Sequence, residues 1–271
     1  ICPKRFENYS LYFSPIVGLA FLSYVGWLLY EYSPWGTNEY FWIVLIFPCI
    51  FLIMAVALKR DRLPSLVFPF KKENFILIGM CIVLFFAISF PYYSRIEGIS
   101  NAISLLNNDI VDYAVISKYL MLSSASNTPV PNVIQYLPAS VENIWFSAYL
   151  STALPSSIFN LGSYQVQNLV TYLFFIFSLP LIFLISTEIF GYLKKSAVFI
   201  TFLVGINFTL VYLLYQNFLG QTIGMGFFLG LFLVTWYPLL KYTNFREIIP
   251  YLPLNILFSF QCKINVLLWC L

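Results

Sequence analysis

Two carboxylates one helical turn apart, Asp109 and Asp112, are the residues of this sequence best suited to chemistry. They lie in the stretch Asn-Asn-Asp-Ile-Val-Asp-Tyr at residues 107–113. If the stretch is helical, their spacing places both on the face that also carries Tyr113. Such a pair can deprotonate a hydroxyl group or bind a divalent metal ion through oxygen. Asp109 can equally well be a helix cap, because Asn and Asp favour the first position of a helix.

Further polar residues are predicted to lie on the same side of the molecule as the acid pair. Gln216 and Gln221 belong to a short turn between two apolar stretches. Lys263 lies inside an apolar stretch, where an ionisable residue is costly and therefore indicates a function. Lys263 can hold a phosphate as a point charge, or it can extend toward the membrane surface. The candidate substrate-binding residues are Asn108, Tyr113, Gln216, Gln221 and Lys263.

The composition excludes a soluble domain and several kinds of catalytic site. Hydrophobic residues make up 61% of the chain and charged residues only 9%, against about 25% charged in soluble domains. The sequence contains no histidine, which rules out His-ligated metals and catalytic triads that use histidine. The basic residues are scattered through short segments rather than gathered into a patch, so we expect no nucleic-acid partner.

Apolar stretches long enough to cross a bilayer recur along the chain and must position these residues. They are continuous rather than alternating, so they are helices and not barrel strands. The sequence therefore predicts an all-α fold, a polytopic transmembrane helix bundle of about seven spans in a single domain over residues 1–271. We expect a fragment, because the chain begins with Ile1 and stops within an apolar stretch. The predicted spans are residues 11–30, 40–58, 75–90, 166–189, 196–215, 222–240 and 248–271.

Lysine and arginine are distributed unevenly between the two sides that alternating spans create. One side would carry most of them and the other only Arg95 and Lys118. The positive-inside rule then places the amino end in the cytoplasm and the long loop at residues 91–165 outside. The basic residues assigned to the cytoplasmic side are Lys4, Arg5, Lys59, Arg60, Arg62, Lys71, Lys72, Lys194, Lys195, Lys241 and Arg246.

The long outer loop is predicted to be partly helical. Apolar residues recur at helical spacing in residues 97–108 and again in residues 109–122. Residues 123–138 hold three prolines and are expected to be irregular. Ser140 and Glu142 favour the start of another short helix at residues 141–153. We expect these helices to lie at the membrane surface.

From about residue 75 onward, the chain resembles the GT-C superfamily of integral membrane glycosyltransferases. The resemblance rests on a span followed by a long outer loop with the 107–113 stretch, then surface helices and closely spaced spans. It also rests on the segment 165–230, with Glu188-Ile-Phe-Gly191 and Tyr215-Gln-Asn-Phe-Leu-Gly-Gln221.

This resemblance implies a membrane lipid as partner, namely a polyprenyl-phosphate sugar donor, and a glycan or other hydroxyl acceptor outside the cytoplasm. It implies that Asp109, or in second place Asp112, is the catalytic base. It leaves a divalent metal ion at Asp109 and Asp112 open, because some members of the superfamily use one and others none. The expected setting is surface or cell-envelope glycan assembly in the plasma membrane.

Two other functions fit the same spans. A multi-span transporter or lipid flippase would be expected to show matched halves with broken helices, and the sequence shows no convincing repeat. A non-catalytic membrane scaffold would use the outer loop to bind a partner. Only the acid pair and Lys263 speak against the scaffold.

Overall fold

The computed structural model describes residues 10–58, 72–95, 109–122 and 146–266. Within these residues the chain is 90% helical and forms no β-strand. The predicted all-α class is therefore confirmed. The helices are α1 (Ser10–Tyr32), α2 (Thr37–Leu58), α3 (Lys72–Arg95), α4 (Asp109–Leu122), α5 (Phe146–Phe159), α6 (Ser163–Leu184), α7 (Lys194–Gly205), α8 (Phe208–Tyr215), α9 (Leu219–Lys241), α10 (Phe245–Ile248) and α11 (Leu252–Val266).

Four helical segments are long and apolar enough to cross a membrane: Tyr12–Tyr32, Phe75–Tyr92, Ser163–Ile189 and Leu219–Lys241. The third of these continues from α6 through a π-helical turn, Ile185–Ile189. The pair α7 and α8 makes a fifth candidate if it is one span with a bend of 44°. These helices fit an integral membrane protein. Helices α2 and α11 occupy the positions of the two other predicted spans, and the count of seven stays a prediction.

The fifth predicted span, residues 196–215, is not one straight helix. It is divided between α7, which ends at Gly205, and α8, which begins at Phe208. The side-chain oxygen of Asn207 accepts a hydrogen bond from the Leu210 N–H at 3.3 Å, so Asn207 caps α8. Asparagine favours this capping position over a helix interior, and it therefore supplies the physical reason for the break.

Contacts at both ends of the bundle show how the long helices are directed. The Tyr215 hydroxyl at the end of α8 donates to the Ile88 carbonyl in α3 at 3.0 Å. Glu188, just after α6, approaches Lys241 at the end of α9 to 3.9 Å. We call the end that contains the Tyr215 contact the loop end. It holds the carboxyl ends of α1, α3 and α8 and the amino ends of α2, α6 and α9. The opposite end, with the carboxyl ends of α6 and α9 and the amino end of α7, is the basic end.

Helix α4 has the bounds that the sequence predicts, residues 109–122, and one of its sides is buried. Val111, Asp112 and Lys118 on one side are exposed, whereas Tyr113 and Leu120 are buried. The Ser163 hydroxyl at the start of α6 donates to the Ala114 carbonyl at 2.7 Å. Helix α4 is thus fastened to the loop end of the bundle.

Helix α5 lies inside the bundle rather than at its surface, which differs from the expectation for this loop. Ten of its 14 residues are buried, and it packs against α1, α2, α4 and α6. Several of its hydroxyl groups donate to the helix's own backbone, as Ser151 does to the Ala148 carbonyl and Ser156 to the Thr152 carbonyl. Because it carries no charge, this helix can be buried at little cost.

Two glycines of α9 permit close helix packing, as their spacing predicts. A Cβ atom on Gly230 would lie 2.9 Å from the ring of Phe258 in α11. A Cβ atom on Gly226 would lie 2.8 Å from the hydroxyl of Ser178 in α6. Helix α9 is therefore held against both neighbours at distances that a larger residue would prevent.

Candidate functional site

The acid-bearing helix α4 contacts the turn between α8 and α9. The backbone N–H of Gly220 donates to the Tyr113 hydroxyl at 3.3 Å, and this contact is buried. The Tyr113 ring also packs against the Tyr149 ring in α5, with centroids 5.5 Å apart. Tyr113 therefore joins three segments at the loop end: α4, α5 and the turn that precedes α9.

Asp112 lies on the exposed side of α4, next to this contact. Burial raises the pKa of the Tyr149 hydroxyl, and Tyr113 and the Asp112 carboxylate raise it further. The Asp112 carboxylate is thus close enough to act electrostatically on the Tyr113–Tyr149 pair while it stays open to solvent. Asp109 is the first residue of α4, and its side chain lies outside the described part, as does the whole of Asn108.

A buried network of uncharged side chains lies beneath the α8–α9 turn. The Asn217 amide nitrogen donates to the Asn168 amide oxygen at 2.5 Å, and the Thr171 hydroxyl donates to the Asn217 amide oxygen at 2.8 Å. All three side chains have no exposed surface. Asn217 has a left-handed backbone with φ 55°, which asparagine tolerates better than most residues. The network fastens this turn to α6.

The two predicted glutamines of the turn face different environments. Gln216 is turned outward, and its amide nitrogen donates to the Tyr212 hydroxyl at 2.7 Å. The amide oxygen of Gln221 is buried and has no hydrogen-bond partner within the described residues. The same holds for both amide atoms of Gln167 in α6, which is fully buried. Buried amides are nearly always hydrogen-bonded, so Gln167 and Gln221 point to a polar interior that water or a ligand completes.

Helix α11 contacts α5 and the middle of α1 through Gln261. The Ser147 hydroxyl of α5 contacts the Gln261 amide oxygen, and the Gln261 amide nitrogen donates to the Ala20 carbonyl of α1 at 3.1 Å. Lys263 follows two residues later in α11, and its side chain lies outside the described part. The approach of Lys263 to the acid pair stays a prediction.

Metal-binding side chains do not gather in the part of the chain that the structure describes. No group of three or more Asp, Glu, Cys or His side chains is found there. Asp112 alone falls short of the several oxygen ligands that a divalent metal takes.

The sequence placed the acid pair and the α8–α9 turn on the same side of the molecule, but it predicted neither their contact nor the buried network beneath this turn. Asn217 and Asn168 lie at its centre, whereas Gln216 faces outward. The polar cluster at the start of α6 was the available signal for Asn168. Comparison of the chain with protein-family models, curated proteins and solved structures finds no match, so the function is argued from the chain's own residues.

Proposed function

We propose that this chain is an integral membrane glycosyltransferase of the GT-C type. It transfers a sugar from a polyprenyl-phosphate carrier to a hydroxyl group of a glycan or similar acceptor at the loop end. The observation that supports this proposal is the hydrogen bond between Gly220 and Tyr113, two residues 107 positions apart. It brings the helix that carries both aspartates against the turn that carries the buried amides.

The proposed reaction needs a base, an acceptor and a stabilised leaving group. Asp109, or in second place Asp112, takes the proton of the acceptor hydroxyl, whose oxygen then bonds to the anomeric carbon of the sugar. The bond between that carbon and the phosphate oxygen breaks, and the polyprenyl phosphate leaves with the electron pair. Lys263 stabilises the negative charge on the phosphate. We assign no step to a metal ion.

The proposed orientation places the loop end outside and the basic end in the cytoplasm of a seven-span protein in the plasma membrane. The described positions favour this arrangement under the positive-inside rule. The basic end carries Lys72, Lys194, Lys195, Lys241 and Arg246, whereas the loop end carries Arg95 and Lys118.

Substitution of the acid pair tests the proposal. The purified chain is reconstituted in liposomes with a radiolabelled polyprenyl-phosphate hexose and a glycan acceptor. Asp109→Asn, Asp112→Asn or the double variant is expected to lower kcat by roughly 100-fold or more, the usual contribution of a general base. Glu31→Gln, an exposed acid near the same end, is the matched control and keeps the wild-type rate. Wild-type transfer by the double variant would refute the proposal.

A transporter or lipid flippase is the second candidate, and the break between α7 and α8 favours it. Broken spans often line substrate sites in transporters, and the unpartnered amide of Gln167 is a polar group inside the bundle. Uptake of a lipid or solute into liposomes that persists in the Asp109/Asp112 double variant supports this function. Uptake that is lost in this double variant would speak against the transporter.

A further inference from the structure

A polar cavity opens at the loop end, and neither Asp112 nor the α8–α9 turn lines it. Its volume is about 390 Å³, and it lies between the amino end of α2, the carboxyl halves of α4 and α5, and the residues just before α6. Lys118, Asn38, Ser157 and Asn160 supply its polar lining, and none of the lining residues that the structure describes is a carboxylate. The cavity therefore offers one cation and several hydrogen-bond donors.

The polar groups of this cavity are positioned by their own contacts. The Ser157 hydroxyl contacts the Thr37 hydroxyl at 2.9 Å and donates to the Asn38 amide oxygen at 2.8 Å. With its oxygen engaged by Ser157, Asn38 keeps its amide N–H groups for a ligand. Asn160 adopts a left-handed backbone with φ 52°, in the short connection that carries the chain from α5 to α6.

The electrostatics of the cavity favour an anion. Lys118 forms no ion pair with any side chain that the structure describes. Helix α2 begins one residue before Asn38, and Gly162, which lines the cavity, is the N-cap of α6. The amino end of α6 therefore adds partial positive charge to that of Lys118. The amino end of α2 adds less, because the Glu39 carboxylate in its first turn accepts from the Gly36 N–H at 2.6 Å. The carboxyl end of α5 adds partial negative charge nearby. One of its carbonyls, that of Ser156, already accepts a hydrogen bond from the Leu161 N–H at 3.0 Å.

Apolar side chains lie directly beside the polar groups. Met121 and Leu161 line the cavity, and Leu161 is partly exposed. Leu122 and Phe159, next to lining residues in the sequence, are 61% and 69% exposed. An anionic head with an attached hydrocarbon chain matches this combination better than a free ion does.

We propose that this cavity binds the phosphate ester headgroup of a membrane lipid, with Lys118 as the cation and the Asn38 and Asn160 amides as donors. The lipid chains lie along Leu122, Phe159 and Leu161. This site is independent of the proposed glycosyl transfer, because it contains none of the residues assigned to that reaction.

Binding of defined lipids to the full chain in an uncharged detergent tests this site. Short-chain phosphatidic acid, diacylglycerol with the same acyl chains, and glycerol 3-phosphate are titrated separately, and the shift in Tm gives each Kd. Phosphatidic acid is expected to bind saturably and diacylglycerol at least tenfold more weakly, since a hydrogen bond to a charged group contributes about 1.5–3 kcal/mol. Equal binding of diacylglycerol would overturn the proposal.

Variants decide whether the cavity is the place of binding. Lys118→Gln is expected to weaken the binding of phosphatidic acid at least tenfold. Lys118→Arg keeps the charge and is expected to retain most of the affinity. Lys195→Gln at the basic end is the matched control and leaves the Kd unchanged. Asn160→Asp, which places a negative charge in the cavity, weakens binding as well. Unchanged Kd values in Lys118→Gln and Asn160→Asp would refute the site.

The glycerol 3-phosphate titration identifies the source of the phosphate. Binding as tight as that of phosphatidic acid, and lost in Lys118→Gln, supports the phosphate site but overturns the lipid as its occupant. Weaker binding than that of phosphatidic acid supports the lipid.

Discussion

A buried network at the loop end and an ion pair at the basic end use polar residues in different ways. At the loop end, Asn168, Thr171 and Asn217 are uncharged, fully buried and bonded to each other. At the basic end, Lys241 and Glu188 form an ion pair whose side chains are 45% and 19% exposed. Buried amides are costly to leave unpaired, so they select one packing arrangement. Exposed charges add little stability, and their distribution bears on orientation instead.

The strongest test of this comparison removes the centre of the buried network. Asn217→Ala is expected to lower the free energy of unfolding by roughly 2–4 kcal/mol, because Asn168 and Thr171 lose their partner and alanine is strained at this backbone angle. Reversible unfolding in mixed micelles, followed by circular dichroism, measures the change. Asn217→Gly is the control, since it removes the same amide without the strain. A loss below about 0.5 kcal/mol in both variants contradicts the assigned role.

A second test addresses the link between α5, α11 and α1. Gln261→Leu is expected to cost about 1–3 kcal/mol of stability, because Ser147 and the Ala20 carbonyl lose a buried partner. The same unfolding assay applies. The double variant Gln261→Leu/Ser147→Ala should lose less stability than the sum of the losses in the two single variants, because the residues act as a pair. Additive losses would mean that the pair contributes nothing as a unit.

A third test concerns the contact that joins α4 to the α8–α9 turn. Tyr113→Phe removes the hydroxyl that accepts from Gly220 and is expected to cost about 1 kcal/mol. Tyr164→Phe, at a partly exposed position of α6, is the matched control and should lie within about 0.5 kcal/mol of wild type. Equal effects of the two variants would show that the Tyr113 hydroxyl does not hold α4 in place.

The basic end should respond least. Lys241→Gln breaks a long, partly exposed ion pair and is expected to change stability by less than about 0.5 kcal/mol. A loss as large as that in Gln261→Leu would erase the contrast between the two ends. Measuring both variants in one series provides the comparison directly.

Local patterns predicted much of the fold, because helix formation depends on neighbouring residues. The bounds of α4 agree with the helical spacing of apolar residues within 109–122. The end of α5 was predicted at residue 153, whereas the helix continues through Pro155 to Phe159. A proline disfavours helical geometry at the residue before it, but burial of α5 among α1, α2, α4, α6 and α9 outweighs that preference here. The break at Asn207 had a local signal, the capping preference of asparagine, that hydropathy alone does not reveal.

The candidate site was less predictable, because it depends on contacts between distant segments. The pairing of Tyr113 with Gly220 and of Asn168 with Asn217 spans 107 and 49 positions. Residue types showed which segments were polar, but they did not show which residue of a polar turn faces inward. The left-handed backbone of Asn217 turns its amide toward α6, and no hydrophobic pattern records such a conformation.

The bend between α7 and α8 bears on how the protein would fit a bilayer if the pair forms one span. Their 12 and 8 residues give helical lengths of about 18 Å and 12 Å, and together these equal the thickness of a typical hydrocarbon core of about 30 Å. A 44° bend shortens the vertical extent to about 27 Å if α7 stands upright. If the pair is one span, the bilayer beside it is expected to thin locally to match this length. The protein is accordingly expected to resist unfolding slightly better in bilayers of shorter acyl chains than in thicker ones.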